Sequence, residues 1–443
     1  MEHNPLARQF TAASLLRFAL PNIAMMVVLS LYTIVDGICI SRFVGTLALS
    51  AINMSYPLNC LELAAGIMLG TGGSAIIARE LGEGKPELAR RDFTCVVAAA
   101  AVVGLVFMTV GNLFLDPILK LLGTSEAQFG LCRDYTRILL YFSPAMFLQT
   151  VYQMLFVTAG KPGFGLGITV AGGLSNVVLD LLLMGPLDMG VSGAAIATGI
   201  GYCIPAVIGT AYFGAVRKGT LYFTRFRPRG RMLLQTCGNG SSEMVSNIAN
   251  VVTTFLFNIL FLRFWGEDGV AAITIAMYFQ FVFSAVDLGF SMGVAPVISY
   301  QYGAQDLPQL RHTFRVSMRF VMLCSAGMWL LSWLTIGFCM SVFTDVGSSV
   351  YLITVRGFPI YAVSFLLMGV SIFASSLFTA LSNGVVSAVI SFARTCLFLV
   401  GMLLLLPGLL GETGIWLAVP AAELLGLAVS VGFLVWGRKK YRY

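Results

Sequence analysis

Long apolar runs separated by short polar segments organise this chain from end to end. Twelve stretches of about 20 residues, the length that crosses a bilayer core, fall at 16–40, 47–76, 93–115, 137–158, 163–186, 190–215, 234–262, 269–300, 317–341, 353–378, 384–407 and 413–436. Hydrocarbon offers backbone amides no partner, so each run predicts a helix. The fold class expected is an all-α polytopic membrane protein with twelve transmembrane helices. The first run follows only 15 residues, lacks a small-residue cleavage site and exceeds a signal peptide's apolar region, so it is expected to stay in the mature protein. Between the runs, 79–92 and 303–313 are expected to form short polar helices on the membrane surface, and 116–136 a polar connection.

The pattern occurs twice. Arg42-Phe43-Val44-Gly45 matches Arg263-Phe264-Trp265-Gly266, almost half the chain further on, and Ala51-Ile52 matches Ala272-Ile273 at the same offset. Gly190, Gly193 and Ala197 match Gly411, Gly414 and Ala418, again at that offset, and Gly66-x₃-Gly70 matches Gly289-x₃-Gly293 with a small indel. Six spans per unit is an even number, so both halves enter the membrane in the same sense and form parallel repeats. The expected organisation is an N-terminal six-helix lobe at 1–216, a linker rich in Arg, Pro and Gly at 217–233, and a C-terminal six-helix lobe at 234–443.

Composition narrows the class. Apolar residues make up 58% of the 443, charged residues only 11%, and mean hydropathy is +0.88. A soluble domain carries roughly 25% charged residues. The net charge of +7 reports topology rather than nucleic-acid binding. Placing both termini in the cytoplasm puts 20 of the 27 Lys and Arg residues on that side and six on the other, which satisfies the positive-inside rule. Nine cysteines lie mostly in spans without a CxxC, and two histidines are too few for a metal or triad enzyme. Neither a phosphate-cradling Gly-x₄-Gly-Lys-Ser/Thr nor a soluble domain for ATP is present, so energy would come from an ion gradient or the membrane potential. No cofactor is expected, and no enzymatic activity.

Charged side chains at helix centres cost about 2.5–3.5 kcal/mol on insertion scales, so those that persist are functional candidates. The first half holds Asp36, Glu62 and Asp180; the second holds Glu243, Asp287, Arg394 and Glu423. Asp36 and Asp180 are expected at similar depth in one lobe, where they could share a proton or a cation. Asn176 lies one turn before Asp180 on the same face. Burial in structural hydrogen-bond networks is the alternative for each acid, and Arg394 is expected to neutralise Glu423. Phe147, Tyr278 and Gln280 are possible walls of a cavity for flat cations, which aromatic faces attract.

Val35-Asp36 in the first span, Asn176-Val-Val-Leu-Asp180 in the fifth, Gly193-Ala-Ala-Ile-Ala-Thr198 opening the sixth, and the duplicated polar loops together resemble the multidrug and toxic compound extrusion (MATE) family, in particular its bacterial DinF- and MepA-like branch. The resemblance covers essentially the whole chain. It implies a V-shaped pair of lobes in a bacterial inner membrane, exporting cationic lipophilic drugs or toxic metabolites against inward H⁺ or Na⁺. It also implies a cation-coupling site of Asp36, Asn176, Asp180 and Thr198, with Gln153 where an Asn is often found, and Na⁺ as a possible ligand of Asp36 and Asp180. Glu243 falls near a seventh-span acid used by another branch, and with Asp287 it is carried as a possible second-lobe acid. The partners expected are small cationic substrates and the bilayer, with no nucleic acid, for a monomer. A flippase of lipid-linked oligosaccharide is the rival reading. It calls for a cationic cavity, and the span interiors, away from their ends, offer one arginine against six acids.

Overall fold

A computed structural model describes residues 5–217, 219–343 and 347–443 of the chain. Lys218 of the expected linker and the side chain of Arg42 lie outside the described residues. The described chain is helical almost throughout: α1 (Ala12–Phe43), α2 (Thr46–Gly82), α3 (Pro86–Leu113), α4 (Leu115–Leu121), α5 (Glu126–Tyr141), α6 (Ser143–Thr158), α7 (Pro162–Met184), α8 (Gly190–Ala215), α9 (Gly230–Gly303), α10 (Leu307–Phe343), α11 (Ser349–Ala380), α12 (Gly384–Phe392), α13 (Leu399–Leu410) and α14 (Glu412–Tyr441). Among the described residues ten helical stretches, with α12 and α13 counted as one (Gly384–Leu410), are long and apolar enough to cross a membrane, and the bent pair α5–α6 makes an eleventh span. The 74-residue α9 breaks at Gly266 (φ 64°, ψ −150°), which divides it into two spans and completes twelve.

The duplication is written into the backbone. Gly45 and its equivalent Gly266 both take positive φ at the turn between the first and second span of each repeat. Gly190 and its equivalent Gly411 do so where the last span of each repeat begins (φ 57° and 59°). A Cβ would strain that conformation, so glycine recurs there.

Three expectations need correcting. Residues 79–92 form no separate surface helix: Arg79 to Gly82 complete α2, and α3 starts at Pro86. The tight turn between them is set by Gly84 (φ 73°) and by an Arg79–Glu83–Lys85 chain of ion pairs at 2.9 and 2.8 Å. The second repeat has the same turn, with Gln305 in the left-handed conformation between Gly303 and Leu307. The connection at 116–136 is largely helical, being built from α4 and the start of α5. The span expected at 137–158 is bent by 57° between α5 and α6. Pro144 lacks the amide that would continue the helix. Its equivalent in the second repeat is Phe365, and α11 runs unbroken through it.

Aromatic residues fill each repeat. Phe93, Phe147, Tyr152, Phe156 and Phe213 are fully buried in the first, and Phe261, Phe358, Tyr361, Phe365 and Trp416 are buried in the second. Leu113, Leu323, Leu404 and Val435 are exposed, as a surface meant for lipid requires. The segment joining the repeats, between Ala215 and Gly230, is docked on α3: Arg90 Nε donates to the Thr220 carbonyl (3.1 Å), Thr224 N to Thr94 Oγ1 (3.1 Å), and Arg229 Nη1 to both Asp92 carboxylate oxygens (2.9 and 2.7 Å).

The repeats meet mainly where α2 and α1 cross α9. Glycine makes that crossing possible. A Cβ on Gly82 would strike the Tyr300 carbonyl oxygen, and one on Gly303, its repeat equivalent, would strike the Arg79 carbonyl. Gly72 sits the same way over Thr236, Gly240 over Met68, and Gly293 over Ala19. Asn22 Nδ2 donates to the Gly289 carbonyl at 2.8 Å within the same seam. Small residues let helix backbones touch in this way.

Candidate functional site

The site in the first repeat is assembled by three helices. α7 lies against α1 and against α8. Close approach of α7 and α8 depends on Gly172 and Gly201: a Cβ on Gly172 would meet the Gly201 carbonyl at 2.6 Å, and one on Gly201 would meet Asn176 Cβ at 3.2 Å. With that approach, Asn176 Nδ2 reaches Thr198 Oγ1 at 3.3 Å, both side chains buried. One turn further along α7 is Asp180, fully buried, and α1 brings the half-buried Asp36 to it. The two carboxylates come within hydrogen-bonding reach of each other. No other protein group donates to either oxygen of Asp180 or to the buried Oδ1 of Asp36. Two carboxylates in that relation repel unless a proton or cation lies between them.

A narrow crevice lies one helical turn from Asp180 along α7. Asn176 and Thr198 line it, together with Tyr32, Gln149, Thr169 and Tyr202. Tyr32 lies one helical turn before Asp36, and its side chain neighbours that of Tyr202. Tyr135 of α5 and Cys39 of α1 complete the ring of groups in electrostatic reach of both acids.

Asp36, Asn176, Asp180 and Thr198 are thus brought together. Gln153 is not among the crevice residues. It is buried on α6, and the glutamine that reaches the crevice is Gln149, one turn earlier. Gln153 is implied by the family resemblance rather than by spacing, and α6 follows a 57° bend from α5. Tyr32, Tyr135 and Tyr202 are the groups that sequence reasoning missed. Spacing of four residues from Asp36 could have found Tyr32; the other two come from distant helices with no local signal.

In the second repeat the charges are more compact. Arg394 Nε donates to both oxygens of Glu423 at 2.9 Å, the partner the sequence suggested. Arg394 belongs to a single π-helical turn, 393–398, inserted between α12 and α13. Such turns cluster at functional positions. Asp287 is 1% exposed, has no donor to either carboxylate oxygen, and lies in electrostatic reach of Arg394 and Glu423. Glu243, half-buried, is also in reach of Arg394. The expected cavity residues do not share a wall. Phe147 is fully buried in the core of the first repeat, its ring 5.4 Å from that of Phe107. Tyr278 is exposed on α9, and Gln280 accepts a hydrogen bond from Tyr361.

The buried Arg394–Glu423 pair has a measurable consequence. Glu423→Gln leaves the guanidinium uncompensated, and the loss is expected to reach about 3–5 kcal/mol. Replacing both partners with Met is expected to cost far less. Thermal unfolding of the purified protein in detergent checks this, and a double variant as unstable as Glu423→Gln would refute the pairing account.

Comparison with known proteins adds the family context. The MatE family profile matches residues 21–182 and 244–404, one segment in each repeat. The multidrug export protein MepA of Staphylococcus saprophyticus is 22% identical over 94% of this chain and 92% of its own length. The probable multidrug resistance protein YoeA of Bacillus subtilis is 24% identical over 96% of this chain and 94% of its own. A solved structure described as the outward-facing conformation of a multidrug resistance MATE family transporter of the MOP superfamily superposes with a TM-score of 0.92. It is 22% identical, and the match covers 100% of this chain and 98% of that one.

Proposed function

The chain belongs to the MatE family of transporters, and from that premise we propose that it is a secondary antiporter exporting lipophilic cations in exchange for inward H⁺ or Na⁺. The observation that carries the proposal is the facing pair Asp36 and Asp180, two carboxylates inside the bundle with no protein donor between them. A monovalent cation or proton relieves that repulsion, so loading the ion stabilises one arrangement of α1 and α7 and releasing it stabilises another. Asn176 and Thr198, bonded to each other, line the crevice one turn from Asp180.

Transport follows from rocking of the two lobes, 1–216 and 234–443, about the seam of α1, α2 and α9. We place the protein as a monomer in a bacterial inner membrane with both termini cytoplasmic, on the strength of the Lys and Arg distribution. In that orientation the seam around Gly82 and Gly303 closes the cytoplasmic side. Export of drugs is supported by the names of the relatives MepA and YoeA. The flippase reading gains nothing from the site, because Arg394 is already neutralised by Glu423.

Ethidium efflux from loaded proteoliposomes, with sodium and pH gradients imposed separately, tests the proposal. One of the two gradients is expected to drive efflux against a concentration difference. Rates indifferent to both would reject antiport.

A further inference from the structure

Glu62 is the third carboxylate of the first repeat and takes no part in the pairing of Asp36 with Asp180. It sits on α2, is 5% exposed, and its Oε1 has no donor. The hydroxyl of Ser143, at the start of α6, approaches its carboxylate. None of the ion pairs among the described residues includes Glu62. The titratable neighbour that senses its charge is Tyr202 of α8. Tyr202 also lines the crevice, as does Tyr32, one turn from Asp36. Two tyrosines of one crevice wall thus lie in electrostatic reach of both Glu62 and the acid pair, Tyr202 of Glu62 and Tyr32 of the aspartates.

This geometry points to a second ion-loading position. We propose that Glu62 is loaded and unloaded with the Asp36–Asp180 pair, so that each cycle carries two monovalent ions inward, one shared by the aspartates and one on Glu62. The inference rests on the antiport reading. Its balance is simple: outside, two ions bind three carboxylates and take the cluster's charge from −3 to −1; inside, both leave and the charge returns to −3. For protons, the Tyr202 and Tyr32 hydroxyls offer a path by which the ion on Glu62 equilibrates with the pair. A carboxylate in apolar surroundings is costly when charged and unpaired, so Glu62 is not expected to stay charged while the pair is loaded.

The test is thermodynamic. In proteoliposomes with the membrane potential clamped at zero, the steady-state ethidium gradient is measured against an imposed gradient of the coupling ion. With two ions per substrate, each tenfold ion gradient sustains a substrate gradient of about a hundredfold; Glu62→Gln should reduce this to about tenfold, with Glu62→Asp restoring it. A residue of purely structural importance would change rates and leave this slope alone. Equal slopes for wild type and Glu62→Gln overturn the inference, whether the shared value is about one or about two. Absence of any gradient dependence in wild type overturns the antiport reading itself. Should Glu62→Gln not reconstitute, Tyr202→Phe takes its place: a slope near one supports the path through Tyr202, and the wild-type slope overturns it.

Discussion

Asp36→Asn is expected to abolish concentrative efflux while leaving drug binding and the folded state intact. An amide occupies the same volume and can donate to Asp180, so the repulsion that requires an ion vanishes. Asp180 is then satisfied by the protein at all times, and the loaded and unloaded states no longer differ at this point. A ligand moves an equilibrium only by its differential affinity for the two states. An ion with no differential site therefore cannot drive the lobes. The loss should be complete, because Glu62 loads and unloads only together with the pair and so gives the driving force of roughly 2.3 kcal/mol per charge per 100 mV no separate point of application. Asp180→Asn should match it, and the double variant should be no worse, since groups acting as one unit are strongly non-additive. Efflux from energised vesicles measures all three. Undiminished gradient-driven efflux in Asp36→Asn removes the pair from the mechanism. Additive losses would mean that the two acids work independently.

How far the sequence anticipated this site depends on which residue is considered. Asp36 and Asp180 were legible because charge in an apolar run has no ordinary explanation. Asn176 followed from helical spacing. The number and parallel sense of the spans followed from hydropathy and from the constant offset between pairs such as Gly45 and Gly266. Gln153 came from the family resemblance alone, and it is Gln149, one turn earlier on the same helix, that lines the crevice. Tyr202 and Tyr135 could not be singled out among 15 tyrosines, since aromatic residues are common at every depth of a membrane helix. The π-helical turn at Arg394 was equally invisible, because nothing in residues 393–398 distinguishes it from an α-helical turn. Apolar pattern fixes which segments span the membrane. Which polar atoms meet is set by bends and by close approaches at glycine, and these act over a few residues without altering the pattern.

The glycines at the seam lead to the second large effect. Gly82 and Gly303 are equivalent positions in the repeat, and each lies over the backbone of the other's helix. The atom that a Cβ would strike is in both cases a main-chain carbonyl oxygen. A side chain could rotate away; a helix backbone cannot without opening the seam. Overpacking of this kind typically costs about 1–3 kcal/mol per site. The penalty falls only on the arrangement in which the seam is shut, so it appears as a shift in population toward the other state. Each Ala substitution should reduce the closed-to-open ratio by about 5- to 150-fold, and Gly82→Ala/Gly303→Ala should leave the closed state a minor species. Spin labels at Glu87 and Ala304, exposed beside the two turns, would then report a longer distance than in the parent protein. Efflux should fall with the population, while thermal stability changes little. Gly401→Ala is the control, because a Cβ there meets nothing within 4 Å. An unchanged distance in the double Ala variant, with efflux preserved, would show that these helices separate nowhere near Gly82 and Gly303 during transport, and the rocking seam would have to be sought elsewhere.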